Sequence, residues 1–297
     1  MKVNYFNPLS YVRPLGSRGF LNWMPDEVYI KLCYRAFFHK KLDLQNPKTY
    51  NEKLQWMKLY DRNPLYCTLA DKVAVREYVA RKVGEEYLIP LVGGPWDSPE
   101  QIDFDALPDR FVLKCSHGSG TNIICKNKAE LDIGQTRERL AKWMRKSWFC
   151  YGREWPYSQI KPRIYAESYM EDDRDRELRD YKIFCFQGKA ECMLVVTDRQ
   201  NQNKQTGFDY YTTDYTHLPF AWVKPNAAVQ PEKPQCFTQM LELAEKLAQG
   251  IDNVRVDLYS VNGKIYFGEY TLFHASGFAP FYPGEWDEKF GRMLSLK

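Results

Sequence analysis

Two carboxylates, Asp257 and Glu269, interrupt an apolar stretch near the C-terminus at a spacing that could create a metal site. The stretch from 253 to 271 has the sequence N-V-R-V-D-L-Y-S-V-N-G-K-I-Y-F-G-E-Y-T, in which β-branched and aromatic residues flank Asn262-Gly263. That pattern predicts a β-hairpin. If both carboxylates lie on one face, they can bind Mg²⁺, which usually takes one or two carboxylates together with water and substrate phosphates. The alternative is a solvated face on which Arg255 neutralises Glu269.

The length of the hairpin turn decides whether the two carboxylates share a face, because side chains alternate along a strand. A two-residue turn at Asn262-Gly263 pairs Val256 with Glu269 and puts Asp257 on the other face. A three-residue turn, with its glycine in the left-handed conformation, pairs Arg255 with Glu269 instead. In that register the two carboxylates are diagonal neighbours roughly 7–8 Å apart. One face then carries four polar side chains: Arg255, Asp257, Glu269 and Thr271.

A glycine-rich segment, His117-Gly118-Ser119-Gly120-Thr121, lies between two strand-like sequences, R-F-V-L-K-C-S and N-I-I-C-K. Glycine permits positive φ and close approach, so backbone N–H groups in such a loop can converge on an anion. Lys114 ends the first strand, and a buried lysine is costly unless it is paired with an anion. The loop is neither a P-loop nor a G-x-G-x-x-G fingerprint, because the sequence lacks the first motif and the loop lacks the third glycine. We therefore expect this hairpin tip to bind an anion, although glycine-rich tips are common in hairpins.

The elements that position these residues fall into two regions. The length of 297 residues suggests roughly two domains, and we expect a mainly helical region over 1–102 followed by a strand-rich region over 103–297. The net charge of +4, from 42 basic and 38 acidic residues, is mild and does not indicate a nucleic-acid partner. The eight cysteines form no C-x-x-C pair, which favours a cytoplasmic setting. We expect neither a signal peptide nor an integral membrane segment, and nothing indicates an oligomeric state.

The first region is predicted to be helical after an extended arm over residues 1–24. One helix follows Pro25, a second begins with Thr49 or Asn51 as its cap, and a third runs unbroken from 69 to 83. Lys72 and Arg76 lie one turn apart on this third helix. They could grip an anion, but a solvated face is the more common arrangement.

The second region is predicted to consist mostly of strands. The sequence R-I-Y-A-E-S-Y-M, which contains Glu167, is one strand, and the segment 180–199 is a hairpin that turns at Gln187-Gly188. Lys182 and Arg199 then lie near the open ends of this hairpin. Two further segments are predicted to be loops: Gly93-Gly94-Pro95 and residues 201–234.

Together these groups provide what ATP and Mg²⁺ require, namely cations and amides for the phosphates and acids for the metal. The order F-V-L-K, glycine-rich loop, A-E-S-Y-M, Y-K-I-F, V-R-V-D and F-G-E-Y-T resembles the ATP-grasp fold. More narrowly, the chain resembles the TupA-like ATP-grasp proteins of teichuronopeptide and surface-polysaccharide biosynthesis. The matching motifs include N-P-K-T-Y-N-E-K-L-Q-W, L-A-D-K-V-A-V-R-E-Y-V, F-V-L-K-C-S-H-G-S-G and K-I-Y-F-G-E-Y-T. The resemblance implies an α+β fold in which two α+β subdomains grip the nucleotide, with the helical region in front of them.

The resemblance also implies nucleotide-binding roles. Lys114 and Lys182 match lysines that contact the phosphates, and residues 116–122 match the loop that closes over them. Glu167 matches a hinge residue near the exocyclic amine of adenine. The backbone near the ring edge belongs to three residues: Ser168, Tyr169 and Met170. The ribose hydroxyls would be held by Asp173 or Asp175.

The metal carboxylates in this match are Asp257 and Glu269. Many ATP-grasp enzymes continue with Glu-x-Asn, whereas this chain has Thr271, whose hydroxyl can ligate the metal or orient a water molecule. ATP-grasp ligases phosphorylate a carboxylate to an acylphosphate, which an amine then attacks, and Arg199 or Arg255 would hold the carboxylate or the transferring phosphoryl group. The polysaccharide setting of the family implies a sugar acid or an amino acid as substrate. His274 either assists deprotonation of the acceptor or is structural.

Two other classes of function stay open at this point. A glycosyltransferase or phosphotransferase of surface-polysaccharide assembly could share the nucleotide-binding fold. Asp173-Arg174-Asp175 has the Asp-x-Asp spacing of a nucleotide-sugar metal site, but it lies in a charge-dense stretch. A protein that binds nucleotide without turnover is the other alternative, against which the intact Lys114, Asp257 and Glu269 argue.

Overall fold

The computed structural model describes residues 8–173, 178–197 and 205–297. The α-helices of these ranges are α1 (Val12–Ser17), α2 (Asp26–Phe38), α3 (Tyr50–Tyr60), α4 (Leu65–Ala70), α5 (Ala74–Val83), α6 (Ile133–Met144), α7 (Phe149–Gly152), α8 (Phe237–Ala248) and α9 (Glu285–Met293). The strands are β1 (Leu91–Trp96), β2 (Phe111–Cys115), β3 (Asn122–Cys125), β4 (Ile164–Ser168), β5 (Asp180–Phe186), β6 (Lys189–Thr197), β7 (Gly207–Thr212), β8 (Ala221–Trp222), β9 (Asn253–Val261), β10 (Lys264–Thr271) and β11 (Phe281–Tyr282).

The N-terminal helices follow local sequence signals. Helix α2 begins after Pro25 with two acidic residues in its first turn, where they face the positive end of the helix dipole. Helix α3 begins at Tyr50, and the preceding Thr49 forms a capping box with Glu52, so Thr49 and not Asn51 is the cap. The predicted extended arm is wrong for the described part, because residues 8–17 are helical.

The predicted third helix is also wrong, because it is broken into α4 and α5. Asp71 has extended dihedral angles at the break. Its carboxylate accepts a hydrogen bond from the backbone N–H of Val73 at 2.8 Å and one from Arg163 at 2.9 Å. A local side-chain bond of this kind competes with helical hydrogen bonding. The break places Lys72 between the two helices.

Strands β1, β4, β2 and β3 form an antiparallel four-stranded sheet in that order. The register pairs Lys114 with Tyr165 and Val112 with Glu167. Gly93-Gly94-Pro95, predicted to be a loop, lies within β1. Gly94 has φ of 88°, and a Cβ atom there would lie 2.9 Å from the carbonyl oxygen of Ile164. Glycine therefore permits the strand to approach its neighbour.

Strands β10, β9, β5, β6 and β7 form a second antiparallel sheet, of five strands. The predicted hairpin of β5 and β6 is confirmed, with Gln187-Gly188 between its strands. Much of the predicted loop 201–234 is instead ordered, because β7 pairs with β6 and β8 pairs with β11. The aromatic sequence F-D-Y-Y-T of β7 carries the β-propensity that this interpretation overlooked.

The larger hydrophobic core lies around the five-stranded sheet. Helix α8 packs across β5, β6 and β9, and α5 packs against α8. Buried residues of α3, α4 and α5 belong to the same core cluster as the sheet, while α6 packs with β2 in a separate cluster. The chain therefore has an α+β fold, and the boundary at residue 102 stays a prediction. Within the described ranges, no helix is long and apolar enough to cross a membrane.

Candidate active site

The hairpin of β9 and β10 brings Asp257 and Glu269 directly opposite each other. Its turn has two residues, because Val261 pairs with Lys264, and Asn262 and Gly263 have φ of 51° and 79°. An irregularity between Phe267 and Glu269 then shifts the register by one residue. Both predicted registers are therefore wrong at Glu269, yet the two carboxylates do share a face.

Gly268 is the extra residue at this bulge, and the space around it is small. A Cβ atom at Gly268 would lie 2.8 Å from the Tyr259 ring and 3.1 Å from the carbonyl oxygen of Asp257. A bulge locally offsets the alternation of side chains along a strand. Phe267 can therefore be buried in the core while Glu269 faces the site.

Asp257 is buried at the centre of a charge network within the five-stranded sheet. Arg255 donates to both of its carboxylate oxygens, from Nε at 2.6 Å and from Nη2 at 2.8 Å. Lys182 on the adjacent strand β5 donates to Oδ2 of Asp257 and lies 3.6 Å from Asp180. The Nη2 atom of Arg255 also donates to the Thr271 hydroxyl at 2.8 Å. These residues lie on neighbouring strands, so the sheet itself assembles the network.

Glu269 has a different partner, because Lys72 from the break between α4 and α5 donates to its carboxylate. Burial raises the pKa of Glu269, but the ammonium charges of Lys72 and Lys182 outweigh that effect and hold it well below its usual range. The backbone N–H of Lys72 donates to the carbonyl oxygen of Ser116 at 3.0 Å, and Ser116 begins the glycine-rich loop. The solvated face predicted for Lys72 and Arg76 is therefore wrong.

Lys114 and Arg76 both contact Glu167 in the four-stranded sheet. The ammonium of Lys114 lies 2.6 Å from one carboxylate oxygen, and the guanidinium of Arg76 lies 3.0 Å from the other. Arg76 also donates to the carbonyl oxygen of Ile89 at 2.7 Å. A nucleotide that uses Lys114 and Glu167 must compete with these contacts. Their assignment to phosphate and adenine stays a prediction.

The glycine-rich loop joins β2 to β3, as predicted, and its residues differ in exposure. Ser119 and Gly120 are exposed, and Gly120 has φ of 69°. The indole of Trp148 covers Gly118 so closely that a Cβ atom there would overlap it. Thr121 is buried. The exposed tip is thus the part of the loop that is open to an anion.

His117 is buried at the base of this loop. Its Nε2 atom lies 3.2 Å from the carbonyl oxygen of Trp143, and burial lowers its pKa. Its Nδ1 atom is buried without a hydrogen-bond partner in the described part of the chain. A phosphate contact would have to use that atom, so this role also stays a prediction.

The segment after β4 runs to the tip of the carboxylate hairpin. The backbone N–H of Ser168 donates to the carbonyl oxygen of Pro90 at 2.9 Å. The guanidinium of Arg110 lies 4.3 Å from the centre of the Tyr169 ring. The backbone N–H of Asn262 donates to Asp172 at 2.8 Å, and that of Asp173 donates to the Asn262 side chain at 3.0 Å. Of the other predicted site residues, Met170 is half-buried beside Tyr169, whereas Asp175 and Arg199 lie outside the described residues.

His274 contacts Arg255 from the other side of the network. Its pKa is lowered well below the usual value by burial and by the charges of Arg255 and Lys182. The neutral ring accepts from Arg255 at Nδ1, so its proton lies on Nε2, which has no partner among residues 8–173, 178–197 and 205–297. This geometry favours the structural alternative, in which His274 orients Arg255.

An open cavity of about 1330 Å³ begins at this network. Arg255, Glu269 and Thr271 line it together with Ser119 of the glycine-rich loop. Its lining also includes residues that the sequence analysis did not consider, and the charged or polar ones among them include Arg13, His39, Lys146, Glu154, Tyr157, Lys224 and Ser276. They come from distant segments with no motif, so no local signal pointed to them.

Of the two carboxylates, Glu269 is the one with room for a Mg²⁺ ion, because both oxygens of Asp257 already accept from Arg255 and Lys182. Asp257 and Glu269 are directly paired across adjacent strands, and Glu269 is partly exposed to the cavity. No group of three or more His, Cys, Asp or Glu side chains in the described ranges is arranged to hold a metal. Mg²⁺ accepts such a small protein donor set when substrate phosphates complete its shell.

Comparison with known proteins identifies relatives of this fold. A family profile described as TupA-like ATPgrasp matches residues 52–295. The D-alanine–D-alanine ligase of Bacillus anthracis is 14% identical with a TM-score of 0.41, over 69% of this chain and 57% of that chain. The L-amino acid ligase of Bacillus licheniformis is 11% identical with a TM-score of 0.46, over 86% and 55%. The chain thus spans little more than half of these two ligases, and no curated protein sequence matches it.

Proposed function

The chain belongs to the TupA-like ATP-grasp family and has the ATP-grasp fold, and from this premise we propose that it is an ATP- and Mg²⁺-dependent carboxylate–amine ligase. The proposed reaction forms an acylphosphate from a carboxylic acid and ATP. An amine then displaces the phosphate to give an amide. The acid is a sugar acid or an amino acid, and the setting is the cytoplasmic assembly of a capsule or cell-surface polysaccharide.

The observation that carries this proposal is the fixed orientation of Arg255 at the floor of the cavity. Asp257, Thr271 and His274 each hold its guanidinium, and Arg255 is nevertheless a lining residue of the cavity. A preorganised guanidinium stabilises charge that develops on a transferring phosphoryl group, because it needs no reorganisation during the reaction. In the proposed ligase Arg255 holds the substrate carboxylate or the transferring phosphoryl group.

The nucleotide would lie between the two sheets. Lys114 and the exposed tip of the glycine-rich loop bind the phosphates in this proposal. Lys182 and Lys72 add positive charge beside Asp257 and Glu269, which hold Mg²⁺. The metal supplies charge neutralisation for the phosphates when it is bound. Lys72 was not among the nucleotide-binding residues that the resemblance implied.

The cavity supports an anionic and sugar-like acid. Its basic lining residues include Arg13, His39, Lys146 and Lys224, whereas its carboxylates are Glu154 and Glu269 among the described lining residues. Its walls also include the exposed ring of Tyr282, which is suited to stacking on a sugar face. The volume also exceeds what a small amino acid alone would need.

The test incubates the purified protein with ATP, Mg²⁺ and a panel of uronic acids and amino acids. ADP, phosphate and product mass are followed together. We expect ADP release that depends on both an acid and an amine, with a product that has lost water. Glu269→Gln should abolish turnover, and Glu242→Gln on the exposed face of α8 is the matched control that should not.

Two results would overturn the ligase. Retention of phosphate on a sugar product would establish a phosphotransferase instead. Release of a nucleoside diphosphate from a nucleotide sugar, without ATP consumption, would establish a glycosyltransferase. The glycosyltransferase would use the Asp173-Arg174-Asp175 segment, of which Asp173 donates its backbone N–H to Asn262 and the other two residues lie outside the described ranges.

A further inference from the structure

Glu154 is a carboxylate on the cavity wall that the proposed nucleotide and metal sites do not use. The residues before and after it in the sequence each donate a hydrogen bond to a distant segment of the chain. Arg153 is buried and donates to the carbonyl oxygen of Leu21 at 2.7 Å. Trp155 donates its indole N–H to the carbonyl oxygen of Asp61 at 2.9 Å. The carboxyl group of Glu154 is therefore held at the cavity by a rigid backbone.

A buried lysine stands behind Glu154. Lys58 on α3 is 1% exposed and donates at 2.8 Å to three oxygens, on Gln55, Gly152 and Ser276. Its ammonium forms no direct ion pair in the described part of the chain, but its charge acts on Glu154. Lys58 thus favours a negative Glu154 without a direct hydrogen bond to its carboxylate in the described structure.

The surroundings of Glu154 make it a stronger base than an ordinary carboxylate. Burial raises its pKa, and the charge of Lys58 and a contact with the Ser276 hydroxyl oppose that rise. The pKa of Tyr157, another lining residue, is raised by burial and by the charges of Glu154 and Glu269, and Arg255 opposes this. Glu154 and Tyr157 line the same cavity as Arg255 and Glu269, so a substrate that fills this cavity can contact Glu154 and the reaction centre together.

Arg13 lines the same cavity as Glu154. Its guanidinium is stacked on Tyr151 at 4.2 Å and on Phe37 at 5.0 Å. Its Nε atom is buried with no hydrogen-bond partner within the described ranges. A guanidinium that is held on aromatic rings at a cavity wall is suited to bind a carboxylate.

A carboxylate beside a guanidinium matches the two charges of an amino acid. On the basis of the proposed ligase, we propose that Glu154 and Arg13 form the acceptor subsite, which takes an α-amino acid as the amine substrate. Glu154 binds the ammonium group and accepts its proton, and Arg13 binds the carboxylate. Glu269, the other carboxylate among the described lining residues, is engaged by Lys72 and assigned to the metal.

The chemical step balances as follows. The ammonium group transfers one proton to the Glu154 carboxylate, which becomes a neutral acid. The nitrogen lone pair forms the C–N bond to the acyl carbon, and the C–O bond to phosphate breaks with its electron pair on phosphate. The second proton lost from nitrogen leaves on the phosphate. Glu154 then loses its proton to water and returns to its ionised form.

The experiment separates the two half-reactions in Glu154→Gln. Hydroxylamine is uncharged at neutral pH and traps an acylphosphate as a hydroxamate without needing an ammonium site or a base. We expect hydroxamate formation within about threefold of wild type but amide formation with an amino acid lowered at least about a hundredfold, the usual contribution of a general base. Glu154→Asp, which keeps the charge opposite Lys58, should form hydroxamate normally and recover part of the amide rate.

Arg13→Met tests the other half of the subsite. It should raise the KM for the amino acid about tenfold or more, with little change in the rate of hydroxamate formation, since a lost charged hydrogen bond contributes about 1.5–3 kcal/mol. Amide formation by Glu154→Gln at the wild-type rate, or an equal loss of both half-reactions, would overturn the subsite alone. If wild-type protein forms no hydroxamate with any acid, the ligase itself fails and the subsite with it.

Discussion

Asp257 and Glu269 are paired across one hairpin, but their surroundings differ. Asp257 is held by Arg255 and Lys182 from its own sheet, and its side chain is 1% exposed. The Glu269 side chain is 30% exposed, and in the described structure its contacting cation is Lys72 from the break between two N-terminal helices. One carboxylate is thus neutralised inside the sheet, and the other is neutralised by a separate part of the fold.

Because of this difference, the partners of Asp257 are costly to change, whereas the partner of Glu269 is not. A buried carboxylate with several charged partners can be removed only by leaving those partners uncompensated. A partly exposed carboxylate with a single lysine can exchange that lysine for a metal ion at much lower cost. Asp257 therefore fixes the geometry of Arg255, and in the proposed ligase Glu269 would be the carboxylate that exchanges Lys72 for Mg²⁺.

The largest expected effect is the loss of folding stability in Asp257→Asn. The substitution leaves Arg255 and Lys182 buried without their shared carboxylate, so the free energy of unfolding should fall by about 3–5 kcal/mol. Urea unfolding monitored by circular dichroism measures it. Glu269→Gln should cost no more than about 1 kcal/mol, because that pair is partly exposed. Equal losses of stability in the two variants would contradict the proposed difference between Asp257 and Glu269.

The next effect concerns nucleotide use by Lys72→Met. Once Glu269 binds the metal, the ammonium of Lys72 is free to contact a phosphate, and a charged hydrogen bond contributes about 1.5–3 kcal/mol. We expect kcat/KM for ATP to fall about tenfold to a hundredfold in an ADP-release assay. Lys31→Met, which removes an exposed lysine paired with Glu27 on α2, is the control. An unchanged kcat/KM would show that Lys72 only supports the fold.

A third prediction concerns pH. Burial and the charges of Arg255 and Lys182 lower the pKa of His274 well below its ordinary value of 6.5. Below pH 6.5 the unfolded chain binds a proton that the folded chain resists, so the free energy of unfolding falls as pH decreases, by up to about 1.4 kcal/mol per pH unit. His274→Gln should remove this part of the slope between pH 6.5 and 5. Buried His117 acts in the same direction and remains in the variant.

The smallest expected effect is that of Thr271→Val. It keeps the shape of the side chain but removes the hydroxyl that accepts from Arg255 at 2.8 Å. The expected loss is about 1 kcal/mol of stability, with a several-fold decrease in ADP release. A stability equal to wild type would mean that Asp257 and His274 alone orient Arg255.

The parts of the fold that the sequence predicted depend on local signals. Thr49 and Glu52 are three residues apart and form the predicted type of cap. Gln187-Gly188 and Asn262-Gly263 each provide the positive φ values that a tight turn requires. Such features depend on neighbouring residues, and a single sequence contains all of that information.

The parts that were missed depend on distant segments. Lys72 and Glu269 are 197 positions apart, and Lys58 and Ser276 are 218 apart. No periodicity connects residues at such distances. The bulge at Gly268 was missed for a related reason, because strict alternation was assumed along β10 and a one-residue offset reverses every assignment beyond it.

The hydrogen bonds between Asn262 and the Asp172-Asp173 segment have a mechanical consequence. They fasten the chain that leaves the four-stranded sheet to the free end of the carboxylate hairpin. Five residues of extended strand, about 17 Å, separate Asn262 from Asp257. A rotation of the four-stranded sheet would therefore pull on the tip of this hairpin, and β9 would carry that displacement to Asp257.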